Sequence, residues 1–283
     1  MPLNCRTDLA SEARGLLSND IGKEHGIRAR DECVRSHRVT AVDILTDDGA
    51  RLIGKPIGRY FTLFLDGRFE RGTEQFGNAV YAAAELIRRC IEKVHPASCL
   101  VAALGNPDIT PDALGSLAAG CILVTRHLKR AGVGGFEGFC STSLCRTGVL
   151  GTTGVESAAQ IRALVRETQA ELVIAIDALA GSELGGLCRT IQICDSGIAP
   201  GSGVGNNREE LSRTSLGVPV IAVGVPTVID AAALAAQEEL RGMFVTPRDI
   251  DSLVRAAARV IGYGVNAALN PGLTVEDVDM LIG

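Results

Sequence analysis

The chain of 283 residues contains no tryptophan, and aromatic residues make up only 4% of it. Its interior must therefore be built from Val, Ile, Leu and Ala, within a composition that is 46% hydrophobic and includes 33 glycines. Aliphatic cores of this kind are typical of a buried parallel sheet. No run of about 18 apolar residues occurs without charges, and no apolar stretch of signal-peptide length stands at the start, so the expected location is the cytoplasm. Positive charge is in deficit, with 28 Lys and Arg against 33 Asp and Glu and a formal net charge of -5. That balance gives no long-range attraction to phosphate backbones or anionic membranes, and neither nucleic acid nor membrane is expected as a partner.

Several familiar constellations are missing as well. The 9 cysteines, Cys5, Cys33, Cys90, Cys99, Cys121, Cys140, Cys145, Cys188 and Cys194, include no CxxC pair. They read as reduced structural thiols. Only Cys140/Cys145 and Cys188/Cys194 are close enough to raise a metal question, and neither pair has a histidine beside it. His25, His37, His95 and His127 are isolated in polar surroundings, with no HExxH spacing. Ser196 and Ser202 lack a GxSxG context, so serine nucleophile chemistry has no support.

What is present is alternation. RVTAVDIL (38–45) and RYFTLFL (59–65) read as strands, with Asp47-Asp48-Gly49 between them as a hairpin signal. A helix is expected from about Thr73 to Lys93, then a strand at SCLVAALG (98–105). Another helix is expected to start at Thr110-Pro111 and to end near HLKRAG, before Gly132. TTGVESAAQIRALVRET reads as a helix capped around Thr153, ELVIAID as a buried strand, RTIQIC and VPVIAVGV as further strands, and Pro247 to Leu269 as a last helix. This order predicts a single-domain α/β fold, a mostly parallel open sheet flanked by helices.

In such sheets the working groups collect beyond the carboxyl ends of the strands. Three segments meet that condition. In ALGNPDITPDALG, Asp112 falls in a first helical turn, where free N–H groups and the helix dipole favour a carboxylate; spacing alone favours a plain first-turn acid, and Asp108 competes as a turn residue. In LVIAIDALAG, Asp177 ends an apolar run and is expected to be partly buried at a strand's carboxyl end, where burial raises a carboxyl pKa; an N-cap is the other reading. Two such acids converging on one site can divide acid and base roles between them. The third segment, CDSGIAPGSGVGNNREEL, carries Gly201, Ser202, Gly203 and Gly205, a run that looks like a phosphate cradle but lacks the P-loop lysine and has Asn206 where a GxGxxG pattern needs glycine. A structural turn, or a loop that lets a peptide backbone come close, accounts for it better.

Taken in order, RTDLASEA, LGNPDITPDALG, GVLGTTGVESAAQI, LVIAIDALA, TIQICDSGIAPGSGVGN, LGVPVIAVGVPTVID and FVTPRDID resemble the germination protease family of spore-forming bacteria, endopeptidases that degrade small acid-soluble spore proteins. The resemblance covers most of the chain. It implies a fold related to the hydrogenase-maturation proteases, a homotetramer, no cofactor and no metal, and action in the forespore or spore core. It also implies that Asp112 and Asp177 are the catalytic pair of an aspartic-type peptidase. Backbone donors around Gly201, Ser202, Gly203 and Gly205 are expected to hold the substrate strand or the oxyanion, because glycine tolerates a close backbone approach. Substrates of this family are cut between an acidic and an apolar residue, in the form acid, Phe or Ile, Ala, small residue, Glu. Asp8-Leu9-Ala10-Ser11-Glu12 has that form. The resemblance therefore implies a zymogen that cuts itself between Asp8 and Leu9, with residues 1–8 as a short propeptide-like segment and 9–283 as the peptidase domain. A metal-dependent peptidase using the same acids as ligands, and a non-catalytic nucleotide-binding module hanging on the glycine run, are the alternative functions.

Overall fold

The computed structural model describes residues 7–15, 22, 24–65, 69–92, 94, 96–205, 208–235 and 237–282. Cys5, His95 and Asn206 lie outside them. One nine-stranded sheet organises the chain. Its strands are β1 (Ile27–Val34), β2 (His37–Ile44), β3 (Gly58–Phe64), β4 (Ser98–Leu104), β5 (Ser141–Gly148), β6 (Leu172–Gly181), β7 (Thr190–Cys194), β8 (Val220–Asp230) and β9 (Phe244–Val245). The order is β1-β2-β3-β7-β8-β6-β4-β5, with β9 added to β8.

The expected α/β fold with a sheet flanked by helices is present, and the sheet is mixed. Strands β5, β4, β6 and β8 run parallel, whereas β1, β2, β3 and β7 continue antiparallel from β8. The parallel half is aliphatic on both faces. In β6, Leu172, Ile174 and Ile176 join one core cluster, while Val173 and Ala175 join the other. This follows from the period of two along a strand that is covered on both sides.

The helix Glu74–Ile91, capped by Thr73 accepting from the Phe76 amide, covers the first face together with Ile250–Leu269. The helix Ser157–Thr168 covers the second. Leu114–Ala119, which follows β4, packs on the first face, so the links after β4 and after β5 cross on opposite sides. Strand β4 leads outward to β5 while β6, its other neighbour, leads toward β7 and β8. The crevice between the carboxyl ends of β4 and β6 is thus a topological switch point.

Several local expectations are corrected. Strands β2 and β3 pair antiparallel, but Asp47-Asp48-Gly49 is no tight turn: it opens the helix Asp47–Ile53. Thr46 caps that helix by accepting from the Gly49 amide, Arg51 sits in its last turn, and Gly54 ends it. The helix expected from Thr110 is three pieces, a 3-10 turn Thr110–Asp112, Leu114–Ala119 and Arg126–Arg130. Buried Asn266 breaks it by accepting from the Leu123 amide and donating to the Cys121 carbonyl. The helix expected around Thr153 is also split, into Leu150–Thr153 and Ser157–Thr168, so Thr153 does not cap the long one. His37 is buried, with Nδ1 3.1 Å from the Phe64 carbonyl oxygen. Among the described residues no helix is long and apolar enough to cross a membrane.

Candidate active site

Asp177 stands well inside β6, which runs on to Gly181, and not at its end; it caps no helix. Alternation with Val173 and Ala175 turns it toward the second face, where only 4% of it is exposed. The carboxylate accepts one hydrogen bond, from the Ala178 amide at 3.0 Å. Burial drives its pKa well above the ordinary carboxylate range, and the like charge of Asp112 and, more weakly, of Asp8 adds to the rise, against a lowering by the Ala178 bond.

Asp112 reaches the same place from the loop after β4. Gly105 makes this possible: its φ is +93°, and a Cβ there would sit 2.1 Å from the Asp112 carbonyl oxygen. The chain folds back so closely that the Asn106 amide donates to Asp112 Oδ2 at 2.8 Å. Burial raises the Asp112 pKa, and that amide bond opposes the rise by favouring the charged form. Asp108 is separated from this arrangement; it is exposed, with its amide donating to Asn106 Oδ1.

The two aspartates and Asp8 line one cleft of ≈ 620 Å³, with Gly201, Gly203 and Phe244 on its walls. The glycine run forms a tight turn, Ser202–Val204, flanked by Gly201 and Gly205. The amides of Ser202 and Gly205 are consumed within it, donating to the carbonyls of Ala199 and Ser202. What the run offers outward is the Ser202 hydroxyl and the bare Cα of Gly203, where a Cβ would meet Asp8 Oδ2 at 2.2 Å. Gly205 is exposed at the end of the turn and is not among the cleft-lining residues.

The N-terminal stretch is docked into this neighbourhood. Strand β6 extends beyond Ile176, the last residue it pairs with β4. On that extension Ala180 exchanges two hydrogen bonds with Asp8: the Asp8 amide donates to the Ala180 carbonyl at 2.9 Å, and the Ala180 amide donates to Asp8 Oδ2 at 2.9 Å. Ser202 Oγ donates to Asp8 Oδ1 at 2.8 Å. Leu9 is 1% exposed, and a short helix, Ala10–Gly15, follows. Glu12 accepts from the amide and hydroxyl of Ser182, both at 2.8 Å, and from the Glu183 amide at 3.3 Å. The sequence reading did not single out Lys55, whose Nζ lies 3.9 Å from Asp8 Oδ1, nor Asn106, Ala180 or Ser182. All but Lys55 act here at least partly through backbone amides, which no side-chain pattern announces, and Lys55 sits in an ordinary-looking GKPIG loop.

An open α/β sheet with an acid pair at its switch point, both carboxyls raised by burial and each accepting one amide hydrogen bond, is equipped for acid–base chemistry on a bound molecule. The chain belongs to the germination protease family, whose model matches residues 6–239, and is therefore a peptidase. The germination protease of Caldanaerobacter subterraneus subsp. tengcongensis is 37% identical, with 99% of this chain and 98% of that protein covered. That of Clostridium perfringens is 35% identical, with 99% of each covered. That of Bacillus subtilis is 43% identical over 81% of this chain and 64% of its own length. A distant likeness is also found to a solved [NiFe] hydrogenase maturation protease, HycI from Thermococcus kodakarensis KOD1, with a TM-score of 0.36 and 16% identity over 64% of this chain and 98% of that one.

Proposed function

We propose that this protease initiates the degradation of small acid-soluble spore proteins during germination, that it is made as a zymogen which cuts its own Asp8–Leu9 bond, and that it uses Asp112 and Asp177 as an aspartic-type pair. On this reading residues 1–8 are the removed segment and 9–283 the mature enzyme, which acts as a homotetramer in the forespore and spore core. The observation that carries it is the shared cleft: Asp8, the residue before the proposed scissile bond, lines the same cavity as both aspartates.

The roles follow from the environments. Asp177, deeply buried and facing a second carboxyl, is the acid raised further and is assigned the proton, whereas Asp112, raised less, is assigned the ionised form; each accepts one backbone amide. Asp112 takes a proton from a bound water as its oxygen bonds to the scissile carbonyl carbon. Asp177 supplies the proton that the leaving nitrogen needs when the C–N bond breaks. No covalent intermediate forms.

The test is to incubate the purified full chain at mildly acidic and neutral pH, alone and with a small acid-soluble spore protein, and to sequence the new N-termini. A new N-terminus at Leu9, and cuts in the substrate after acidic residues, are expected. Asp177→Asn and Asp112→Asn should each lose cleavage by at least about a thousandfold while remaining folded. Full activity in either variant removes that residue from the mechanism, and activity abolished by a chelator would favour the metal-dependent alternative. Sedimentation at micromolar concentration tests the tetramer.

A further inference from the structure

An acidic side chain has no obvious reason to enter a cleft that already contains Asp112 and Asp177. Like charges in a low-dielectric pocket repel, and one more carboxylate there needs compensation. Asp8 is nevertheless well enclosed, with 12% of its side chain exposed. The compensation comes from three different parts of the chain. The Ala180 amide holds Oδ2 and the Ser202 hydroxyl holds Oδ1. Lys55 Nζ stands 3.9 Å from Oδ1, with only 18% of its own side chain exposed. Lys55 is set there by the helix Asp47–Ile53, since its amide donates to the Ala50 carbonyl at 3.2 Å just past the helix end. Gly203 completes the pocket by leaving out the side chain that would overlap the carboxylate.

We infer that Lys55 and Ser202, with the Ala180 amide, form the specificity pocket that selects an acidic side chain immediately before the bond to be cut. This rests on the reading that Asp8–Leu9 is such a bond. The pocket is occupied in cis by Asp8, and loss of residues 1–8 opens it to the acidic residue of a substrate in trans. Lys55 supplies the charge preference, and Ser202 and Ala180 fix the carboxylate's orientation, so that the following peptide bond is presented to the two aspartates.

A double-mutant cycle on self-cleavage tests the assignment, with the rate of appearance of the Leu9 N-terminus measured on the full-length chain. Asp8→Asn and Lys55→Met should each slow the reaction at least tenfold, and the double variant should be no more than about twofold slower than the slower single. Lys55→Arg, which keeps the charge, should recover most of the rate, and Ser202→Ala should show the same coupling to Asp8→Asn. If the unaltered chain never yields a Leu9 N-terminus, the self-cleavage reading fails and the pocket with it. If it does, but the Asp8 and Lys55 effects multiply independently, the pocket assignment alone is overturned. Should Lys55→Met not fold, the Ser202→Ala arm of the cycle decides the same question.

Discussion

At the residue scale, the feature with the widest consequence is the burial of Asp177. Its folded-state pKa lies well above the value it has in the unfolded chain. The sign of the linkage is fixed by that direction: the folded state binds its proton more tightly, so its contribution to stability is full below the unfolded pKa and is lost as pH rises through the folded one. Asp177→Asn removes this titration. The variant should melt at a higher temperature than the parent at pH 7, and the advantage should shrink as pH is lowered toward 4. A constant difference across that range, measured by calorimetry on chains blocked from self-cleavage by Asp112→Asn, would contradict the assignment. Asp177 was visible in the sequence as a charge ending an apolar run, but its depth was not. The strand continues through Ala178, Leu179, Ala180 and Gly181, and only the neighbours on the second face decide that a carboxyl there is buried to 4% exposure.

At the scale of elements, the site depends on turns that hold the strand ends at close quarters. Gly105 is the tightest of these. An alanine there would carry a φ of +93° and a Cβ overlapping the Asp112 carbonyl, with about 1–3 kcal/mol of backbone strain before the overlap is counted. The turn Thr110–Asp112 must then move. Gly105→Ala should lower peptidase activity at least a hundredfold while the far-UV spectrum stays close to the parent's, and parental activity in that variant would show that the loop has room to spare. The same elements show where sequence reading succeeds. The long helices Glu74–Ile91 and Ile250–Leu269 carry strong periodic patterns and were legible almost to their ends. The helix Asp47–Ile53 was not, because Asp-Asp-Gly suits a hairpin turn and a capped first turn alike, and Thr46 and Arg51 decided for the helix. Strand β1 was missed because most of its residues are exposed and half are charged, as befits an edge strand. Its turn to β2 places Arg35 and Ser36 at positive φ without the usual Asn or Gly.

For the whole molecule, stability among the described residues rests on packing without crosslinks. The cysteines Cys33, Cys90, Cys99, Cys121, Cys140, Cys145, Cys188 and Cys194 are all free. Burial pushes the thiols of Cys90 and Cys99 well above their ordinary pKa, and that of Cys188 up to about 12. Since the thiolate is the reactive form, these three should be inert to a thiol reagent in the native protein at pH 8 and should react only as fast as the chain unfolds. Mass-spectrometric mapping should find Cys33 modified first among the described cysteines. Rapid native labelling of Cys90 or Cys99 would mean that the core between the sheet and its first layer of helices opens locally.

The sequence by itself determined the α/β class, the aliphatic core, most strands of the parallel half, and the acidic residues worth examining, because these depend on local composition and on the periods of helices and strands. It also contained residues 8–12, which carry the proposed self-cleavage reading, and that is a matter of residue order alone. Tertiary structure decided the rest. Lys55, Asp112, strand β6 with Asp177 and Ala180, and Ser202 come from separate parts of the chain and gather around Asp8 only where the links after β4 and β6 lead in opposite directions. The raised pKa values of Asp112 and Asp177 come from desolvation, which exists only once the strands are in register and the cleft is formed.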